Sequence, residues 1–140
     1  MKINIWYGTN ENRQLSNLSL RPFKDTDNRE YVSVEHAYQT WKSGAFDPDI
    51  YNCAWKAGSK FPGKLGTKIK DNWNIKLMEK LIRASFLDER NFVDLSILED
   101  SYPNPLTHIQ DKGIWAKEFP RLITKLRVEL LINKLGPKPK

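Results

Sequence analysis

Two stretches of this chain repeat apolar residues at the helical period, and they limit what the rest can become. Trp73, Ile75, Met78, Leu81, Ile82 and Phe86 recur at steps of about a helical turn, which predicts an amphipathic helix over residues 73–86. Phe119, Leu122, Ile123, Leu126, Leu130 and either Leu131 or Ile132 repeat the pattern and predict a C-terminal helix over residues 118–134. A helix with one apolar stripe must bury it against another element, so two such helices in 140 residues call for one shared core and one domain. That length leaves no room for a second catalytic domain. With 39% hydrophobic and 29% charged residues, the chain has the composition of a self-folding globule and not of a disordered polycation.

Shorter signals fill in the remainder. Residues 2–7 alternate polar residues with apolar β-formers, predicting a strand with Ile3, Ile5 and Tyr7 inward, and a second short strand is expected at residues 30–33. Between them residues 8–28, rich in Asn, Ser and Asp, read as a packed loop. Ser33 is a good N-cap for a helix over residues 34–44, with Val34, Ala37, Tyr38, Trp41 and Ala45 on an apolar arc and Glu35, Gln39 and Lys42 together beside it. Asp47 and Pro48 signal a short helix ending near Gly58. Asp88 caps another that uses Phe92, Leu95 and Leu98, and residues 100–113, with two prolines, read as a long loop. The sum is an α+β fold, a mostly helical single domain with a small β-sheet over residues 1–135. Residues 136–140, with Gly136, Pro137 and Pro139, are expected to form a flexible tail.

Several function classes drop out. The lone cysteine, Cys53, cannot form an internal disulfide, so the chain reads as intracellular. Together with only two histidines, His36 and His108, it offers no zinc or iron–sulfur spacing, although a carboxylate site for magnesium stays open. No apolar run approaches a membrane span, and the N-terminus lacks the basic-then-apolar design of a signal peptide, so a cytoplasmic location is expected and no membrane partner. The net charge of +6 points to a polyanionic ligand. It is unevenly placed: residues 1–50 hold 6 bases and 7 acids, residues 51–140 hold 17 and 10, and residues 56–83 alone hold 8 bases and 2 acids.

Candidate chemistry begins with Glu35, Gln39 and Lys42. On an arbitrary helix they would be a solvated face; beside Tyr38 and Trp41, burial would raise a carboxylate's pKa and lower a lysine's, suiting the pair to acid–base or amine chemistry. His36 lies off that stripe and reads as a satisfied structural histidine or a surface one. His108, Asp111 and Trp115 share a prolyl loop of the kind that forms sites, with core packing the alternative for the tryptophan. Lys60, Gly63 and Lys64 form a basic glycine loop that could meet phosphates but matches no phosphate-loop pattern.

The string Ser33-Val34-Glu35-His36-Ala37-Tyr38-Gln39, followed by Lys42, resembles the signature of the NADAR (YbiA-like) family. Leu15-Ser16-Asn17, Pro22-Phe23, Gly63, Trp73, Met78, Phe86, Asp111, Trp115 and Arg127 occur in that family's order, so the resemblance covers nearly the whole chain. It departs where three residues separate Asp111 from Trp115 instead of two and where Ala116 follows the tryptophan.

The resemblance implies a YbiA-like fold and an N-glycosidase that needs neither cofactor nor metal. Its substrate would be ADP-ribosylated guanine in nucleic acid, single-stranded DNA foremost, or an ADP-ribose-like small molecule, which would reverse toxin-type modification or serve counter-defence. Glu35, Lys42 and Asp111 would be catalytic. Ser16, Asn17, Tyr38, Gln39, Lys60, Gly63, Lys64, His108 and Trp115 would bind substrate. Two alternatives stay open: a glycosidase of early riboflavin-pathway intermediates, and a non-catalytic module binding ADP-ribose or single strands.

Overall fold

The computed structural model describes residues 2–5, 13–17, 19–25, 28–43, 74–108 and 114–135. Two of its helices and one 3-10 turn begin where a side chain satisfies an orphan amide of the first turn. Ser33, fully buried, starts α1 (Val34–Ser43), its hydroxyl accepting the His36 N–H at 3.0 Å. Asn74 starts α2 (Ile75–Leu87) by accepting the Leu77 N–H, also at 3.0 Å. Asp88 caps a 3-10 turn, Glu89–Asn91, that leads into α3 (Phe92–Asp100). The last helix, α4 (Trp115–Leu135), begins a turn earlier than its apolar period predicts, because the polar Lys117-Glu118 and Pro120 mask the first turn.

The helices form one core. Tyr38 of α1 accepts the N–H of Asn74 at the start of α2 (3.1 Å), while Asn17, bonded through its carbonyl to the Glu35 N–H (2.9 Å), reaches Met78 one turn into α2. The two helices therefore run antiparallel. α2 and α4 run parallel, as Glu79 pairs with Lys125 (2.8 Å) and Arg83 with Glu129 one turn on in both. These partly exposed bridges contribute little. Met78, Leu81, Ile82 and Phe86, buried against Phe119, Leu122, Ile123 and Leu126, hold the pair, at about 1.5–3 kcal/mol for each large side chain removed from water.

Among the described residues the β structure is two pairs of very short strands. β1 (Ile3–Asn4) lies parallel to β4 (Leu106–Thr107), with Ile3 opposite Leu106, and the Ile5 N–H continues the pairing to Thr107 O at 2.7 Å. β2 (Phe23–Lys24) pairs antiparallel with β3 (Glu30–Tyr31), and the chain turns between them through Asn28 at φ 63°, a left-handed position that Asn tolerates. Two of these strands, β2 and β4, fall in segments whose sequence reads as loop. Two residues cannot display a period of two, so only the partner strand reveals them.

Two apolar expectations are corrected. Trp41 is 49% exposed and its indole Nε1 donates to the Asp25 carboxylate at 2.9 Å; α2 begins level with Tyr38, so Trp41 lies past the neighbour that would cover it. Phe92, at 66%, also faces outward, while Leu98 is buried and Leu95 packs at the core's edge. Of the two residues offered for the end of the last helix, Ile132 is exposed at 61% and Leu131 is half-buried. Tyr7, Ala45, the helix expected near residues 48–58 and the tail 136–140 lie outside the described residues. Among the described residues, no helix is long and apolar enough to cross a membrane.

Because Ser33 both caps α1 and is buried, Ser33→Ala is expected to lower the unfolding free energy by about 1–2 kcal/mol in urea titration. Ser96→Ala, which removes only a hydroxyl bonded to the Phe92 carbonyl on an exposed helix face, should change it by less than about 0.5 kcal/mol.

Candidate functional site

Glu35 sits in the first turn of α1, half-buried, at the edge of the core. Its backbone N–H is held by the Asn17 carbonyl, which ties the α1 N-terminus to the segment after the 3-10 turn Arg13–Leu15. Asn17 donates its side-chain amide to the Met78 sulfur at 3.5 Å, and its Oδ1 is buried with no hydrogen-bond partner. A buried carbonyl oxygen left unsatisfied is costly.

One turn along α1, Tyr38 is buried and meets Trp115 edge to face, with ring centroids 5.5 Å apart. Burial pushes the Tyr38 phenol above its ordinary value, the Asn74 N–H pulls the other way, and the negative charge of Glu35 adds to the rise. Tyr38 is therefore a neutral hydroxyl at physiological pH, close enough to Glu35 to feel its charge. Four expected site residues, Glu35, Tyr38, Asn17 and Trp115, thus converge from three segments.

The other expected residues fare differently. Ser16 is buried next to Asn17, with its carbonyl committed to Arg21 (3.1 Å). His108 follows β4 and packs edge-on against Phe119 at 5.4 Å, one turn from Trp115 on α4. His36 is structural: it is fully buried, its Nδ1 accepts the Val32 N–H at 3.2 Å, and its ring meets Tyr31 edge-on. Gln39 and Lys42 belong to α1, but their side chains lie outside the described residues. So do Lys60, Gly63, Lys64 and Asp111, and with them most of the basic segment 56–83. Among the described residues, no group of three His, Cys, Asp or Glu gathers as a metal site would require.

Sequence reasoning missed Arg21. It is fully buried, donating from Nε to Ser85 Oγ (2.6 Å) and from Nη1 to the carbonyls of Gln14 (2.6 Å) and Ser16, with its guanidinium 3.9 Å over the Phe86 ring. The available signal was its isolation as the single charge in residues 14–23. Compared with known proteins, the chain matches no family model and no curated protein.

The raised phenol of Tyr38 gives a directional test. Its unfolded pKa is about 10, so its contribution to stability is complete below that pH and is lost as pH rises toward the folded value. In ultraviolet difference titration, Tyr38→Phe should remove a component ionising above the ordinary range, and Glu35→Gln should move that component to lower pH.

Proposed function

We propose that the chain is an N-glycosidase of the NADAR (YbiA-like) type that releases ADP-ribose from ADP-ribosylated guanine in single-stranded nucleic acid. The observation that carries the reading is the convergence of Glu35, Asn17, Tyr38 and Trp115. It supplies a carboxylate, an unsatisfied hydroxyl acceptor, a neutral phenol and an aromatic face around one helix N-terminus. The signature string that motivates the family reading forms the start of that same helix.

Cleavage of the guanine–ribose C–N bond builds positive charge on the sugar, and a carboxylate beside the anomeric carbon stabilises it. Glu35 takes this role. Lys42 lies seven residues on, about 10.5 Å along the axis, a span that brackets a ribose. Attack by its neutral amine on the anomeric carbon forms a C–N bond to lysine as the bond to guanine breaks, and guanine leaves with the electron pair and a proton. Ring opening gives an imine, and water hydrolyses it to free ADP-ribose and regenerated lysine. Asn17 Oδ1 accepts from a sugar hydroxyl, Gln39 binds another, and Trp115 stacks on a base. Asp111, in the segment before α4, assists proton transfer or holds a ribose hydroxyl. On this reading Lys60, Gly63 and Lys64 would contribute to phosphate binding through their charge and backbone amides. His108 would contribute to substrate binding, and the reading carries a cytoplasmic setting with it.

Incubation with a guanine-ADP-ribosylated single-stranded oligonucleotide should yield unmodified DNA and free ADP-ribose. Glu35→Gln and Lys42→Ala should each lower kcat by about 10²–10⁴-fold, and borohydride should trap a lysine adduct that Lys42→Ala lacks. Full turnover in both variants would sink the assignment. Turnover of early riboflavin intermediates alone would transfer it to the metabolite, and binding with neither turnover nor adduct would leave a recognition module.

A further inference from the structure

We propose that Arg21 is a positioning residue, holding Asn17 and the α1 N-terminus in register for the candidate site by clamping the turn that precedes them. The proposal rests on the glycosidase reading for its consequence and on geometry for its substance.

A guanidinium in a protein core loses the hydration of a full charge. Arg21 is wholly buried and its direct acceptors are neutral: one hydroxyl and two main-chain carbonyls. Burial pulls its pKa down to about 10, with Asp94 as the opposing charge, and Asp94 is itself pushed up by burial. Ion pairing is thus a weak account of its place.

The clamp is a stronger one. On one side Nε grips Ser85 and the guanidinium plane lies on Phe86, both buried in the last turn of α2. On the other, Nη1 bridges the carbonyls of Gln14 and Ser16, which flank the fully buried Leu15. The next residue is Asn17, whose carbonyl holds the Glu35 N–H and whose side chain meets Met78. The backbone of Arg21 closes the circuit, its N–H bonded to Val32 O at 2.9 Å just ahead of the Ser33 cap. A rigid core helix is thereby linked through one planar fork to the residues that frame Glu35. Such support keeps a binding constellation close to its working geometry. Lysine cannot reproduce it, since its point charge lacks the planar fork that serves several acceptors at once.

The test compares Arg21→Lys and the milder Ser85→Ala with the wild-type chain. Amide hydrogen exchange should quicken roughly ten-fold at Glu35 in Arg21→Lys while the amides of Ile123 and Leu126 in α4 keep their protection. Ser85→Ala should shift Glu35 the same way by less. With the ADP-ribosylated oligonucleotide, kcat/KM should fall about five-fold or more in Arg21→Lys, with kcat falling too because Glu35 loses its fixed place. The assignment is overturned if Glu35 exchange changes no more than that of the α4 amides, which would mark Arg21 as merely structural, or if kcat/KM stays at the wild-type value. If the wild-type chain shows no turnover, the glycosidase reading falls and the exchange comparison alone decides the positioning role.

Discussion

Tyr38 stands where three helices meet, and its burial is the constraint on which the rest of the site depends. Its hydroxyl accepts the last N–H before α2, its ring meets the first residue of α4, and its own helix carries Glu35 one turn back. One side chain with these contacts sets both the rotation and the axial position of α1. A shift of α1 by one residue would turn every side chain by about 100°, carrying Tyr38 away from both neighbours. With Tyr38 seated inward, Glu35 is left at the rim, half-buried. A carboxylate there can act on a ligand without bearing the desolvation of a core position.

The second constraint is the satisfaction of irregular backbone. Carbonyls in helices and sheets find partners in their own ladders, whereas a buried turn must borrow donors. Two buried arginines supply them. Arg21 serves Gln14 and Ser16, and Arg127 serves Ser101 Oγ at 2.9 Å and the Asn104 carbonyl at 2.8 Å, in the turn between α3 and β4. Burial lowers the pKa of both guanidinium groups, and each holds a segment that two-residue strands could not hold alone. The exposed network of Arg90 with Asp88 and Glu30 is different: it joins the β3 end to the α3 approach through solvent-facing charges that salt screens.

Much of the helical architecture was legible in the residues. The apolar period located α2 and most of α4, and Ser33 announced α1. Trp41 shows where such reasoning stops. A helical wheel gives an angle around the axis but no depth along it, and at its depth α2 has not yet begun. β2 and β4 were invisible for a related reason, since their identity resides in the partner strand. Within the site, the signature string marked Glu35 and Tyr38, yet nothing local indicated that the Asn17 carbonyl would hold the Glu35 amide, or that Asn74 and Trp115 would close on Tyr38 from 36 and 77 positions away.

Sequence by itself determined the helical character of the chain, the caps at Ser33 and Asp88 and the residue types available for chemistry. These follow from periodicity and from side chains within a turn of one another. Tertiary structure alone decided which of those residues meet. The Glu35, Asn17, Tyr38 and Trp115 cluster, the outward turn of Trp41 and the inward turn of Arg21 each depend on contacts between segments far apart in the chain. Charge alone would put Arg21 in water. The unpaired carbonyls of one turn and the Ser85 hydroxyl draw it into the core, and those groups come together only when the chain is folded.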